Sequence, residues 1–444
     1  MKRTLIKDAC IINEGKRTQA SIIIANNIIE QIILDSSSIV ESNYQEVIDA
    51  KGKFLIPGVI DDHVHFRDPG LTQKATILTE SKAAIAGGVT SIMDMPNTTP
   101  HTTTLEAWED KINHYSKNAL VNYSCYFGAS NSNIEQLSNL DKHAVCGVKV
   151  FMGASTGNML VDRIESLTEI FSKSPVLIAT HCENQDLIRK NTNRYLAEHG
   201  NPSDLDLIYH SKIRSAEACY QSSKLAIELA KKCDAKLHIL HLSTAEELTL
   251  FDCGSPLSQK QVTAEACIGH LVFSDKDYKN FGTRIKCNPS IKTCADREAL
   301  REAINTNLID VIATDHAPHL LIDKVGGALK AASGIPTIQY SLSSMLKLVD
   351  EKIITLEKVV DKMCHAPATI YEINKRGYIK EGYYADLVLV TPNKAWTVKE
   401  TDIHSKCGWS PFEGETFNWS IEKTFINGIK VYDNGVFEES TKGK

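Results

Sequence analysis

An α/β chain is predicted here, with parallel βα units closing a barrel and a small antiparallel β domain drawn from both ends. Three observations predict it. Between about Phe54 and His365, short apolar segments alternate with longer amphipathic or polar stretches, the pattern of βα units around a parallel sheet. Both ends carry β-branched runs broken by Asn and Gly turns, without helical periodicity. Polar and ionisable residues stand at the C-terminal end of nearly every apolar segment of the middle region, where barrel enzymes place their chemistry.

From Lys2 to about Lys51 the text SIIIANNIIEQIIL typifies strand and hairpin patterning. Eight candidate barrel strands follow: FLIPGVIDDHVHF, VTSIMDMP, VNYSCYFGA, CGVKVFMG, PVLIATHC, AKLHILHLS, VTAEAC and LIDVIATDHAP. The seventh is the least distinct, because RIKCNPS nearby is also strand-like. Near the end, GYIKEGYYADLVLV, TFNWSIEKTFINGIKVY and the turn Asn434-Gly435 return to antiparallel texture, so the two ends are expected to pair. The expected division is residues 1–53 and 371–444 as the two parts of the β domain, and 54–370 as the barrel. No internal repeat argues for a solenoid.

A length of 444 residues suits two or three domains, and 42% hydrophobic residues supply a large core. The net charge of -6, from 49 basic and 55 acidic residues, includes no basic stripe, which argues against nucleic acid and membrane and for a small-molecule substrate as partner. The opening residues have only short apolar runs, broken by Lys7, Asp8 and Asn13, and no stretch of eighteen apolar residues occurs, so a cytoplasmic location is expected. The 12 Cys lack paired CxxC spacing and read as reduced thiols rather than a disulfide framework.

The chemistry concentrates at strand ends. In IDDHVHFRDPG, His63 and His65 are two apart, so both imidazoles face one side and can share a metal. Lys149 alternates with Val148 and Val150 and so points away from them, into the barrel if they pack outward; a buried lone ammonium must find a carboxylate, neutralise or be modified. His181 closes PVLIATH and His241 closes KLHILH; His238, an odd number of residues from His241, faces the other way and reads as a packed core residue. Asp315 ends the eighth strand in TDHAPH, where a carboxylate can bind a metal and accept a proton from water. These positions on successive strands make a binuclear metal-dependent hydrolase the expected chemistry.

The strings PGVIDDHVHFRDPG, MPNTTP, GVKVF, HCEN, HLST, CNPS, TDHAPH and SPFEGETF resemble the successive motifs of dihydroorotases, cyclic amidohydrolases of the amidohydrolase superfamily, over essentially the whole chain. The resemblance implies a TIM-like (β/α)8 barrel with a small β-sandwich formed from both termini. It implies reversible cyclisation of N-carbamoyl-L-aspartate to (S)-dihydroorotate, with release of water, in pyrimidine (UMP) biosynthesis. It also implies two divalent metal ions, with zinc expected from the ligand types. His63, His65 and Asp315 would hold the first, His181 and His241 the second, with Lys149 as N6-carboxylysine and a hydroxide bridging them. Asp315 would be the general acid/base. Arg67, Asn97 and His319 match substrate-carboxylate contacts of that family, and Asn288 matches a residue that holds the ring amide. The expected assembly is a homo-oligomer, a dimer in its simplest form.

Blander roles compete. The alternative for Arg67 is a salt-bridged surface arginine, and for Asn97 and Asn288 turn formers before Pro100 and Pro289. His143, His199, His210, His270 and His365 match no ligand position and are expected to be structural. The chain departs from the family in having NPSIK where NPPLR is common, and Thr337 where Gly is common. The loop Leu320–Ser333, with Gly326 and Gly327, is a candidate lid. Two other functions compete: a hydantoinase or allantoinase, against which Arg67 argues, and an inactive dihydroorotase-like partner of a transcarbamoylase, against which the complete set of ligand positions argues.

Overall fold

Eight parallel strands close a barrel in the computed structural model, which describes residues 3–153, 158–200 and 206–444. The strands are Val59–Val64, Val89–Asp94, the two pieces Asn122–Cys125 and Phe127–Gly128, Val148–Phe151, Ile178–His181, Leu237–Ile239, Val262–Cys267 and Val311–Ala313. Each pairs in parallel with its neighbours in sequence order. The ring closes where Val64 bridges His316 and the His65 N–H donates to the His316 carbonyl at 2.8 Å. Strands covered on both faces need near-continuous apolar runs, and Val59–Val64 and Val89–Asp94 are buried at every residue.

The seventh strand is VTAEAC, and RIKCNPS is not a strand: Gly282–Ile285 is a single helical turn and residues 286–290 form a loop on the C-terminal rim. Strand propensity in RIKC is overridden because no sheet edge remains open beside it once eight strands have paired.

Crossover helices start where the sequence offers a side-chain oxygen to the first free N–H groups. Thr76, Thr104, Ser215 and Thr293 cap Ile77–Ala86, Leu105–Asn118, Ala216–Cys233 and Cys294–Asn305. In Ala216–Cys233 the buried Ala218, Cys219, Ser222, Ser223, Ala226, Ile227 and Ala230 recur at intervals of three and four, a stripe lying on the barrel.

Both ends meet in one nine-stranded sheet. Its order runs Val436–Phe437, Ile429–Asp433, Ser420–Ile426, Leu387–Thr391, Phe54–Pro57, Arg3–Asn13, Lys16–Ala25 and Ile28–Ile33, with Glu46–Asp49 paired beside Arg3–Asn13. Phe54–Pro57 thus belongs to this sheet, and Gly58 separates it from the first barrel strand. Asn434 and Gly435 both take positive φ, as a two-residue hairpin requires. All twelve cysteines are free thiols. No described helix is long and apolar enough to cross a membrane.

Candidate metal centre and active site

The C-terminal rim of the barrel surrounds a cavity of about 490 Å³ lined by His63, His65, Arg67, Asn97, Lys149, His181, His241, Asn288, Asp315 and His319. Every residue singled out from sequence for the site therefore faces one space. Two of the residues set aside behave differently from each other: His210 also lines the cavity, with Nε2 donating to the Cys287 carbonyl at 2.9 Å, while His270 bonds the Pro289 carbonyl at 3.0 Å outside it.

Period-two alternation at the end of the first strand carries His63 and His65 to the same side, with ring centroids 5.5 Å apart. The eighth strand brings Asp315 between them: its Oδ1 is 3.2 Å from His63 Nε2 and 3.1 Å from His65 Nε2. Thr314 fixes this juxtaposition by donating from Oγ1 to Asp61 Oδ2 at 2.6 Å, tying the eighth strand to the first. Arg67, His241 and Asp315 all adopt positive φ, unfavourable for residues with a Cβ, so backbone strain collects at the cavity.

The protonation pattern of these rings decides what the cluster can hold. His63 Nδ1 lies 3.0 Å from Glu265 Oε1, and His65 Nδ1 lies 2.7 Å from Asn97 Oδ1. A carboxylate or amide oxygen only accepts, so each Nδ1 carries the proton and each Nε2 presents a lone pair to Asp315. Two lone pairs and a carboxylate oxygen repel one another unless a cation sits among them. Burial pushes both imidazoles down to about 4, keeping them neutral. Burial would raise the Asp315 carboxyl, but positive charge on the groups that face it, His63 and His65 when protonated and the Lys149 ammonium, holds it below the usual carboxylate range. These three groups place one donor atom each within 4.8 Å of one another, as a single ion requires.

The second pair follows the same logic. His181 Nε2 is 2.8 Å from Glu183 Oε2, leaving Nδ1 to face His241 Nε2 at 2.9 Å. Burial lowers both rings, and for His241 the neighbouring His181 adds to it. His238 turns away, with Nδ1 on Thr263 Oγ1 at 2.7 Å and Nε2 3.2 Å from Asp62, within the barrel core. Lys149, fully buried between the two histidine groups' strands, has no hydrogen-bond partner at Nζ among the described residues and stands 4.7 Å above the Phe151 ring. Burial pushes its pKa down to about 8.

The opposite end of the cavity is cationic. Arg67 Nε donates to the Pro318 carbonyl at 3.1 Å and Nη2 lies 3.0 Å from His319 Nε2, while Lys74 Nζ lies 3.0 Å from His319 Nδ1. Burial, then Arg67 and Lys74, push His319 down to about 2, so it stays neutral. Segment 320–334 arches over this end, with Ala328, Leu329 and residues 331–334 lining the cavity. Buried Lys324 laces it down by donating to the carbonyls of Lys286 at 3.0 Å, Ala332 at 2.8 Å and Gly334 at 2.8 Å. Trp409, in the C-terminal segment, donates from Nε1 to the His319 carbonyl at 2.7 Å. Asn288 Oδ1 is buried without a partner among the described residues.

Comparison with known proteins places this arrangement. The model of the amidohydrolase family matches residues 54–431. The chain belongs to the amidohydrolase family. This amidohydrolase is 34% identical over 437 residues to a dihydroorotase of Carboxydothermus hydrogenoformans, covering 96% of the chain and 97% of that protein. It is 32% identical over 426 residues to a dihydroorotase of Methanosphaera stadtmanae, covering 95% of each. Among solved structures it resembles the L-hydantoinase (dihydropyrimidinase) of Arthrobacter aurescens, with TM-score 0.92, 26% identity and coverage of 99% and 98%. The dihydropyrimidinase of Brevibacillus agri follows at TM-score 0.87 and 25% identity, with 98% and 96% covered. Membership of this family implies a divalent metal, and the converging lone pairs suit one.

Glu183, Glu265, Arg214, Lys74, Lys324 and Trp409 escaped sequence analysis. Glu183 stands two residues after His181 in HCEN, Glu265 lies within the expected strand VTAEAC, and Lys74 and Lys324 follow Arg67 and His319 by seven and five residues. Arg214 and Trp409 reach the site only through the folding of more distant segments.

Proposed function

We propose that this amidohydrolase is a dihydroorotase that closes N-carbamoyl-L-aspartate to (S)-dihydroorotate and hydrolyses it in reverse. Closure joins the ureido nitrogen to the side-chain carboxyl carbon, expels one carboxyl oxygen as water, and consumes a proton because a dianion becomes a monoanion. The observation that carries the reading is Arg67, buried on the cavity wall opposite the histidine cluster with His319 at its side. Burial pushes its guanidinium only to about 10, so it keeps its charge at neutral pH and favours a carboxylate there. The curated relatives named dihydroorotase, 30–34% identical over most of the chain, support the same assignment.

Within this reading, His63, His65 and Asp315 would hold one divalent ion, zinc by ligand type, His181 and His241 would hold a second, and Lys149 as N6-carboxylysine would supply carboxylate oxygens to both. Divalent zinc at such ligands polarises a carbonyl oxygen and brings the pKa of water toward 7. Lys149 suits carboxylation: a pKa of about 8 leaves part of the amine neutral, and that nitrogen adds to carbon dioxide, forming a C–N bond and releasing one proton. Asp315 takes up a proton in hydrolysis and passes it to the leaving nitrogen; in closure it donates the proton. Asn97, with Oδ1 committed to His65, offers its amide N–H groups to the substrate carboxylate beside Arg67 and His319. Asn288 Oδ1 accepts from the ring N–H. Segment 320–334 keeps water from the carboxylate end. A homo-oligomeric assembly belongs to the same proposal, and sedimentation of the purified protein tests it.

A second reading is hydantoin or dihydropyrimidine hydrolysis, favoured by the similarity in shape to the hydantoinase and dihydropyrimidinase structures. Turnover of dihydroorotate against hydantoin and dihydrouracil decides between them. Preference for dihydroorotate is expected; equal or greater turnover of the carboxylate-free rings would overturn the assignment.

A further inference from the structure

We infer that Glu183 is a positioning residue for the second histidine pair, and that Arg214, seated by Ser290 and Lys292, holds Glu183 in place. The inference rests on the two-metal reading above and concerns residues to which nothing so far gave a role.

The four ring ligands are not supported alike. His63 leans on Glu265, which is pinned in turn by the His241 N–H at 2.7 Å and the Cys267 thiol at 3.0 Å. His65 leans on Asn97. In the second pair, His241 Nδ1 has no hydrogen-bond partner, so the Glu183–His181 contact is the one acceptor that fixes a ring tautomer there among the described residues. An imidazole donating one N–H to a carboxylate keeps the other nitrogen as a lone pair in a set direction and makes it a better donor to a metal. Removing Glu183 frees the His181 ring to rotate or change tautomer, and nothing on His241 compensates.

Glu183 is itself fully buried, so its charge needs a partner. Arg214 Nη1 forms an ion pair with the oxygen that faces His181 and lines the cavity just beyond the helical turn His210–Ile213. The Arg214 carbonyl accepts from Ser290 Oγ at 3.0 Å, and Lys292 Nζ donates to Ser290 Oγ at 2.8 Å and to the Ser290 carbonyl at 3.0 Å. Ser290 and Lys292 are positions at which this chain's NPSIK departs from the usual NPPLR. A proline at 290 has no hydroxyl to give, so the departure builds a seat for Arg214 that the common string lacks. The backbone leaves Glu183 little room to shift: a Cβ at Gly153 would lie 2.3 Å from the Glu183 carbonyl oxygen.

The test is metal binding, not turnover. Zinc affinity and stoichiometry of the full chain are measured by chelator competition, with the occupied site located by anomalous scattering in crystals at limiting zinc. Glu183→Leu, which removes the acceptor, is expected to weaken the ion at His181 and His241 by about 10- to 100-fold and leave the ion at His63, His65 and Asp315 in place. The double variant Glu183→Leu/Arg214→Met removes both charges together, so a fold intolerant of an unpaired arginine does not obscure the result; it should show the same selective loss. Unchanged affinity, or equal weakening of both sites, overturns the inference. A wild-type protein that never takes up a second ion sinks the two-metal reading and the inference with it.

Discussion

The two ends of the cavity are built by opposite rules. At the histidine end, most ring nitrogens not aimed inward are held by an oxygen: His63 by Glu265, His65 by Asn97, His181 by Glu183. Donor geometry there is set before anything binds. At the other end, cations gather: Arg67 and Lys74 both approach His319, and Lys324 spends its three N–H bonds on backbone carbonyls. A neutral imidazole can accept at only one nitrogen, so Arg67 and Lys74 cannot both be satisfied by it. Asp323, 3.1 Å from Lys74, offsets part of the charge. One end presents neutral donors to a cation and the other presents cationic groups to an anion, which favours a carboxylate-bearing ring over a neutral one.

Removing the cations should break the comparison most severely. Dialysis against a strong chelator, or Lys149→Ala, is expected to abolish turnover, with zinc but not magnesium restoring the chelated wild type; full activity in metal-free protein would refute the metal reading. Asp315→Asn comes next, with a loss of about 10²–10⁴ in kcat, since it removes the group that moves the proton. In the wild type, pH–rate profiles should diverge, closure gaining in acid and hydrolysis toward alkaline pH, and coincident profiles would remove Asp315 from that role.

The cationic end is probed by Arg67→Met, which should cost about 2–5 kcal/mol in kcat/KM for dihydroorotate while sparing metal content and any slow turnover of dihydrouracil. Equal loss on both rings would make Arg67 structural. Lys324→Met, which takes a donor from the carbonyls of Lys286, Ala332 and Gly334, should lower stability by about 1–3 kcal/mol and speed proteolysis within residues 320–333. An unchanged melting temperature and cleavage rate would deny that the segment is laced down.

The smallest effect is in the dependence of stability on pH. His63 and His65 are held neutral down to about 4 against an ordinary value of 6.5, so as pH falls through that window the unfolded chain takes up protons that the folded metal-free chain refuses. Unfolded protein then binds more protons, and stability must fall with falling pH between about 6.5 and 4. Calorimetry of the metal-free protein should show this slope, and His63→Asn should flatten part of it.

What the sequence determined by itself is whatever depends on local spacing. Alternation on strands put His63 with His65 and separated His241 from His238, and buried parallel strands announced themselves as apolar runs ending in polar residues. His63, His65, His181, His241 and Asp315 are legible for that reason, since each sits at a strand end or in the turn after it, and Lys149 is legible by its alternation with Val148 and Val150 within its strand; Arg67, Asn97, Asn288 and His319 were singled out instead by the resemblance to dihydroorotases. The strand-like RIKCNPS misled because propensity cannot count how many sheet edges remain open. The supporting contacts were illegible. Glu265 reaches His63 across 202 positions, Trp409 reaches His319 across 90, and Arg214 meets Glu183 across 31, and no periodicity links residues so far apart. Ring tautomers, the direction of each lone pair and the shortage of acceptors around His319 exist only once those segments are packed together. Hydrogen bonds and charge repulsion act over a few ångströms, and in this molecule only the closed barrel brings the partners within that reach.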